Sequence, residues 1–282
     1  MQVLSGKEVV AAMNELVGAK SAALRARGVV PTLAVVRVGE RAGDIFYERG
    51  AMKRCAATGI EVKSFVLPET ATQEELMRVI TQVNADVSIH GCLMFRPLPA
   101  HMDEAAACRA LDPAKDVDGI TDGSLAGVFA DAPIGFPPCT ARACIEMLDH
   151  YQIDLAGKRV VVVGRSLVIG KPVAMMLLKK NATVTICHSK TRDLPSVCRE
   201  ADVIVAAIGR ARMLDGSYFS AGQTVIDVGV NADKDGGMCG DVLYDDATRI
   251  VAAVTPVPGG VGTVTTSVLT AHTVEAAERL TR

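Results

Sequence analysis

The sequence has no long basic run, no paired-cysteine motif and no long apolar stretch, and each absence removes a class of function. Lys and Arg number 30 against 32 Asp and Glu, a formal net charge of −2. Gripping a nucleic-acid backbone needs a concentrated positive surface, so no nucleic-acid partner is expected. The eight cysteines, Cys55, Cys92, Cys108, Cys139, Cys144, Cys187, Cys198 and Cys239, are scattered without a C-x-x-C pair. That spacing suits neither a disulfide scaffold nor a zinc site, so reduced thiols and no metal are expected. No uninterrupted apolar run approaches the ~20 residues that cross a bilayer. The opening MQVLSGKEVVAAM has neither the apolar core nor the cleavage site of a signal peptide. A soluble, cytoplasmic protein with no membrane partner follows as the expectation. No internal repeat or low-complexity tract is present.

What is there is an alternation of strand-like and helix-like segments in 282 residues, enough for two modest domains. Ser5 to Arg27 reads as a helix with Ser5 as N-cap. Thr32 to Val38 is a β-rich run, and Asp44 to Thr58 a helix stopped by Gly59. Glu61 to Leu67 reads as a strand, Gln73 to Asn84 as a helix, and Gly91 to Phe95 as a strand running into Arg96–Pro99. This βαβα order predicts a parallel sheet covered by helices. A loop-rich stretch from Asp112 to Pro138 follows, with KDVDG at Lys115–Gly119 and FPPC at Phe136–Cys139. Thr140 to Tyr151 reads as a helix, and a second βα series begins at Lys158. Thr265 to Leu280 is helical again. The expected fold class is α/β with two α/β domains, the second a Rossmann-type dinucleotide-binding domain. The expected boundaries are 1–138 for the first domain and 139–263 for the second, with the terminal helix 264–282 packing back on the first.

Lys158 to Val163 is almost purely β-branched, as a strand buried on both faces requires. It runs into Gly164-Arg165-Ser166 and then Gly170-Lys171-Pro172 at a helix start. Gly164 permits a tight turn. Gly170 lets the backbone approach a ligand, or lets helix and strand pack closely. Free N–H groups at the helix start favour a phosphate. The glycine spacing departs from G-x-G-x-x-G, and a plain βα turn reads the same way. The next strand, Thr183 to Cys187, ends in His188-Ser189-Lys190-Thr191, without the acidic residue that holds a ribose 2′-hydroxyl in NAD sites. Arg165 and Ser189 suit a 2′-phosphate, so NADP is preferred and NAD remains possible. Lys190 reads equally well as part of a solvated loop. The strands Val203–Ile208 and Thr224–Val228 both end at a glycine, and Thr255–Gly262 (TPVPGGVG) is either a pocket wall or a turn.

Val163–Pro172, His188–Thr191, Val225–Asn231 (VIDVGVN) and Thr255–Gly262 together resemble the bifunctional methylenetetrahydrofolate dehydrogenase/methenyltetrahydrofolate cyclohydrolase family of FolD type. Arg96–Pro99 with His101, Lys115–Gly119 and Pro138–Thr140 extend the resemblance over nearly the whole chain, in order. The resemblance implies a homodimer in one-carbon metabolism, with a folate substrate bound between two α/β domains. It implies that Gly164, Arg165, Ser166, Ser189 and Val230 contact NADP. Tyr47 would stack on the folate ring system and Asp118 would hydrogen-bond the pterin, both as catalytic and substrate-binding residues. Pro97, Gly259 and Gly260 would line the folate site. From the residues alone, Tyr47 reads as a core aromatic and Asp118 as a turn cap.

The chain also departs from the family. The pattern Ser-x-x-Tyr-x-x-x-Lys, whose lysine serves the cyclohydrolase step, reads here Asp44, Tyr47, Ala51. Lys53 lies about 200° around the helix from Ala51 and reads as a surface lysine. The glutamine that helps hold the lysine is Phe95, and Arg96 replaces an apolar residue, facing either the site or solvent. Thr263-Val264 stand where Pro-Met is usual. The expectation is a dehydrogenase with weak or lost cyclohydrolase activity. The alternatives are a fully bifunctional enzyme with a rearranged site, a folate- or nucleotide-binding protein without catalysis, and a different Rossmann dehydrogenase.

Overall fold

The computed structural model describes residues 1–233 and 236–281. The chain forms two compact units. One comprises Met1–Ala11 with Thr140–Thr265, the other Ala12–Cys139 with Thr266–Arg282.

The unit that contains residues 12–139 is built on a three-stranded parallel sheet. Its strands are β2 (Thr32–Val38), β3 (Glu61–Leu67) and β4 (Gly91–Met94), in the order β3-β2-β4. Every residue of β2 is buried, as its central place demands, while edge strand β3 has no fully buried residue. Helices α2 (Ala42–Ala57) and α3 (Gln73–Ala85) are the crossovers between these strands. Helix α3 starts in a capping box: Thr72 Oγ1 accepts from the Glu75 N–H at 3.2 Å, and the Glu75 carboxylate accepts from the Thr72 N–H at 2.8 Å. It buries Leu76, Ile80 and Val83, one stripe at helical spacing, against Ala34, Val36 and Met94 of the sheet. The stretch expected to be loop contains a 3₁₀ turn, Pro113–Lys115, and a helix, α5 (Asp122–Ala130). The helix is capped by Thr121, whose Oγ1 accepts from the Ser124 N–H at 3.1 Å. A short α4 (Glu104–Ala110) precedes it.

The other unit holds a six-stranded sheet. Its strands are β1 (Gln2–Val3), β5 (Arg159–Val163), β6 (Thr183–Cys187), β7 (Val203–Ala206), β8 (Thr224–Asp227) and β11 (Ala253–Val254), and every pairing is parallel. The order is β1-β11-β8-β7-β5-β6. A two-stranded antiparallel ribbon, β9 (Asn231–Ala232) with β10 (Met238–Cys239), follows β8. Val160–Val163 are all buried on an interior strand, between β7 and β6, each worth about 1.5 kcal/mol or more. Helices α6 (Cys139–His150), α7 (Gly170–Lys179), α8 (Leu194–Arg199) and α9 (Tyr244–Ile250) complete the series.

The expected boundary of 1–138 needs one correction. Residues 1–11 belong with the six-stranded sheet, because β1 pairs with β11 and the Tyr151 hydroxyl donates to the Ser5 carbonyl at 2.9 Å. Helix α1 (Gly6–Ala26) leaves from that sheet, with Ser5 Oγ accepting from the Lys7 N–H at 3.3 Å. Helix α10 (Val261–Leu280) begins four residues earlier than its periodicity suggests. All eight cysteines are buried and free. No helix among the described residues is long and apolar enough to cross a membrane.

Candidate active site

In the six-stranded sheet, the chain runs from β5 through α7 to β6 on one side. It then crosses through α8 to β7 on the other side of β5. The connections therefore diverge between β5 and β7, the topological switch point at which open α/β sheets take their ligands. Gly164 follows β5 with φ 138°, and a Cβ there would lie 2.2 Å from the Ala207 carbonyl oxygen. Only glycine lets these two loops touch. A Cβ on Gly170 would lie 2.3 Å from the Gly164 carbonyl oxygen, so this glycine serves close packing of α7 on the turn. Ser166 Oγ accepts from the Ile169 N–H at 3.1 Å, while Arg165 and Ser166 are themselves exposed.

The turn after β6 is self-supporting. The His188 N–H donates to Thr191 Oγ1 at 2.9 Å, and the Lys190 N–H donates to His188 Nδ1 at 3.1 Å. Ser189 and Lys190 are left exposed. Val230, after β8, is 61 % exposed although it follows the buried Val228 and Gly229. Gly259 and Gly260 have structural duties. The Gly259 carbonyl accepts from the Gly6 N–H at 2.8 Å, and the Gly260 carbonyl from Thr263 Oγ1 at 2.7 Å.

In the other unit, Tyr47 on α2 is half-buried. Its ring meets Phe95 edge-on, with centroids 6.0 Å apart and planes at 83°. Phe95 directly follows β4 and is 8 % exposed. Its N–H donates to the Val36 carbonyl at 2.9 Å. The Arg96–Pro97 peptide is cis, and Pro97 is exposed. The Arg96 guanidinium is half-buried and pairs with Glu104 at 3.6 Å, so it points neither freely to solvent nor unpaired into the site. Burial pushes the Asp118 carboxyl up to about 6, and the charge of Asp116 adds to this. A hydrogen bond from the Cys139 thiol and the positive charge of Arg96 act in the opposite direction.

Two residues of the KDVDG motif have structural work. Lys115 Nζ donates to the carbonyls of Val83, Asn84 and Asp86 at 2.8, 2.9 and 2.8 Å, closing the end of α3. Asp116 accepts from the Thr121 N–H at 2.7 Å and from Ser124 Oγ at 2.6 Å. An ion pair that the sequence reading missed lies beside Tyr47: Arg37 Nε donates to Glu48 at 2.8 Å, with both side chains nearly buried. Its signal was an arginine inside the apolar run TLAVVRV. Among the described residues no group of three or more His, Cys, Asp or Glu could hold a metal ion.

Residues 4–118 match the family described as tetrahydrofolate dehydrogenase/cyclohydrolase, catalytic domain. Residues 138–281 match its NAD(P)-binding domain. The chain belongs to the tetrahydrofolate dehydrogenase/cyclohydrolase family. The bifunctional protein FolD of Carboxydothermus hydrogenoformans is 52% identical, over 98% of this chain and 97% of that one. The bifunctional FolD of Campylobacter jejuni superposes with a TM-score of 0.96 at 36% identity, covering 99% of both chains. A Trypanosoma brucei FolD solved with NADP and an inhibitor superposes with a TM-score of 0.92 at 35% identity, covering 99% of this chain and 98% of that one.

The resemblance implies a lysine, a serine and a glutamine at the positions held here by Ala51, Asp44 and Phe95. Ala51, at the lysine position, is 1 % exposed. It stands one turn from Tyr47 on the same face of α2. Lys53 is exposed, as its 200° offset from Ala51 requires. Asp44, at the serine position, pairs with Arg41 at 2.8 Å. Phe95, at the glutamine position, packs on Tyr47 and offers no hydrogen bond from its side chain.

Proposed function

We propose that this protein oxidises 5,10-methylenetetrahydrofolate to the 5,10-methenyl form with NADP as oxidant, and that its hydrolysis of the methenyl product is weak or absent. The first half rests on family membership and on the switch-point turn. Arg165, Ser166, Ser189 and Val230 are exposed on the loops that follow β5, β6 and β8, at the carboxyl ends of these strands. Arg165 and Ser189 are the groups suited to a 2′-phosphate. Bound NADP supplies the hydride acceptor. Tyr47 is proposed to stack on the folate ring, with Asp118 accepting hydrogen bonds from the pterin beside Pro97. As the hydride leaves the methylene carbon, a folate nitrogen lone pair stabilises the cation that forms. No protein base has to remove a proton, so positioning dominates this step.

The second half rests on the resemblance, which implies a lysine and a glutamine at the positions that the buried Ala51 and Phe95 hold here. Hydrolysis requires an activated water, proton transfers and ring opening. A polar group of tuned pKa serves these steps, and neither Ala51 nor Phe95 can supply one. The relatives named above are bifunctional by name, so the contrast is testable within the family. Both activities should be assayed on one purified sample. NADPH formation from methylenetetrahydrofolate is expected, with loss of methenyltetrahydrofolate no faster than in buffer. Hydrolysis at the rate of a bifunctional relative would overturn the second half, and no turnover with NADP or NAD would overturn the first. The assembly is proposed to be a homodimer.

A further inference from the structure

Two carboxylates in the nucleotide-binding unit have no part in the chemistry above, yet the loops around that site hang from them. Asp241, just after β10, is wholly buried. Its Oδ2 accepts from the N–H groups of Ile208 at 2.6 Å and Gly209 at 3.0 Å. Its Oδ1 accepts from the Arg210 N–H at 2.8 Å and from Asn231 Nδ2 at 3.0 Å. Three successive backbone N–H groups converging on one anion form a nest, of the kind that elsewhere binds phosphate. Here the anion is internal. Asp227, at the end of β8, holds Asp241 in turn. It accepts from the N–H groups of Asp241 at 3.1 Å and Val242 at 3.0 Å, and from that of Gly229 at 2.9 Å.

The position of this network gives it meaning. Ile208–Arg210 directly follow Ala207, the residue against which Gly164 turns at the switch point. Gly229 and Asn231 bracket Val230, so the two aspartates hold the chain on each side of it, Asp227 through the Gly229 N–H and Asp241 through the Asn231 side chain, while the Val230 side chain is exposed. Gly229 has to be glycine, because a Cβ there would lie 2.3 Å from Asp241 Cγ. A burial this complete is costly for a carboxylate and is tolerated only where its oxygens are fully bonded.

We infer that Asp241 is a positioning residue for the dinucleotide, holding the loop after β7 and the Val230 segment in one binding-ready arrangement. This inference rests on the NADP reading of the site. An asparagine in its place would turn an N–H₂ towards one side of the nest and leave two donors facing a donor. The loops would then be ordered by the cofactor instead of in advance, and the cost would appear in affinity.

The test compares wild type, Asp241→Asn and Asn231→Ala by calorimetric titration with NADP, by KM for NADP and for folate, and by melting temperature without ligand. Asn231→Ala removes a single bond at the Val230 end and leaves the sheet intact, so it reports even if Asp241→Asn fails to fold. The expected result is a rise of about tenfold or more in Kd and KM for NADP in Asp241→Asn. A smaller rise in the same direction is expected in Asn231→Ala, with KM for folate within about twofold in both. A fall in melting temperature with unchanged NADP affinity in either folded variant would overturn the inference. Wild type that binds NADP but does not oxidise methylenetetrahydrofolate would sink the proposed reaction alone, since the calorimetric comparison still decides the role of Asp241.

Discussion

Asp118 shows how burial sets the working range of a single residue. A carboxylate accepts from pterin donors at full strength, through both oxygens, only while ionised, and burial raises the pKa of Asp118 to about 6. The assigned role therefore predicts that kcat/KM for folate falls as pH drops through about 6, where an exposed aspartate would hold on to about 4. In Asp118→Asn that limb disappears along with most of the activity. A wild-type profile flat down to about pH 5 would rule the role out. The stability effect has the opposite sign. With a folded pKa above the unfolded one, the folded state binds more protons between about 4 and 6, so stability is lost as pH rises through that window. Asp118→Asn should accordingly melt higher than wild type at pH 8, with the gap closing towards pH 4.

The same scale decides what restoring the lysine would do. Ala51 is fully packed, and Phe95 covers the neighbouring Tyr47 ring. In Ala51→Lys the new ammonium would be desolvated with no side-chain acceptor from Phe95. Hydrolysis is expected to stay near background in this variant and to rise measurably only in Ala51→Lys/Phe95→Gln, read as loss of methenyltetrahydrofolate. Equal recovery in the single and double variants would show that Phe95 is not the obstacle. The departures expected at positions 44, 51 and 95 come from the resemblance, whose motifs on both sides set the register. The Arg37–Glu48 pair, the pairing of Arg96 with Glu104 and the Asp241 nest were not. Each joins residues whose proximity is created by the fold and leaves no local period.

Elements were legible where the pattern is local. Strands Thr32–Val38, Glu61–Leu67 and Thr183–Cys187 match their sequence readings to the residue, because β-branched runs between turn residues define both ends. Helix α5 was not read. Gly123 and Gly127 lower its propensity and its apolar stripe is short, although Thr121 is a legible cap. Its glycine at 127 answers to packing, since a Cβ there would meet the Ile134 carbonyl at 2.2 Å. Lys115 gives the prediction at this scale. It was read as part of a site motif, and the structure spends it on the last carbonyls of α3. Lys115→Met keeps the stem and removes the donors, leaving buried carbonyls unpaired. A loss of roughly 2–4 kcal/mol of stability is expected by denaturant titration. A loss under about 0.5 kcal/mol would mean that water replaces the ammonium there.

On the scale of the whole chain, the sequence order of βα units gave two α/β domains but not which sheet the first residues join. A two-residue strand carries no periodicity, and its partner β11 lies some 250 residues on, so nothing local records the pairing. The consequence is that the nucleotide-binding sheet depends on the start of the chain. Leu4 is fully buried, its N–H donates to the Val254 carbonyl at 2.9 Å, and Gly6 follows against the Gly259–Gly260 turn. Leu4→Ala should therefore cost about 3 kcal/mol, and the loss should be felt in the unit that binds NADP. Saturating NADP stabilises whatever state binds it, by about 2.7 kcal/mol at a hundred times Kd. The variant should thus recover most of its lost melting temperature when NADP is added at that excess. A melting temperature that saturating NADP leaves unchanged would place the effect of Leu4 outside the nucleotide-binding sheet.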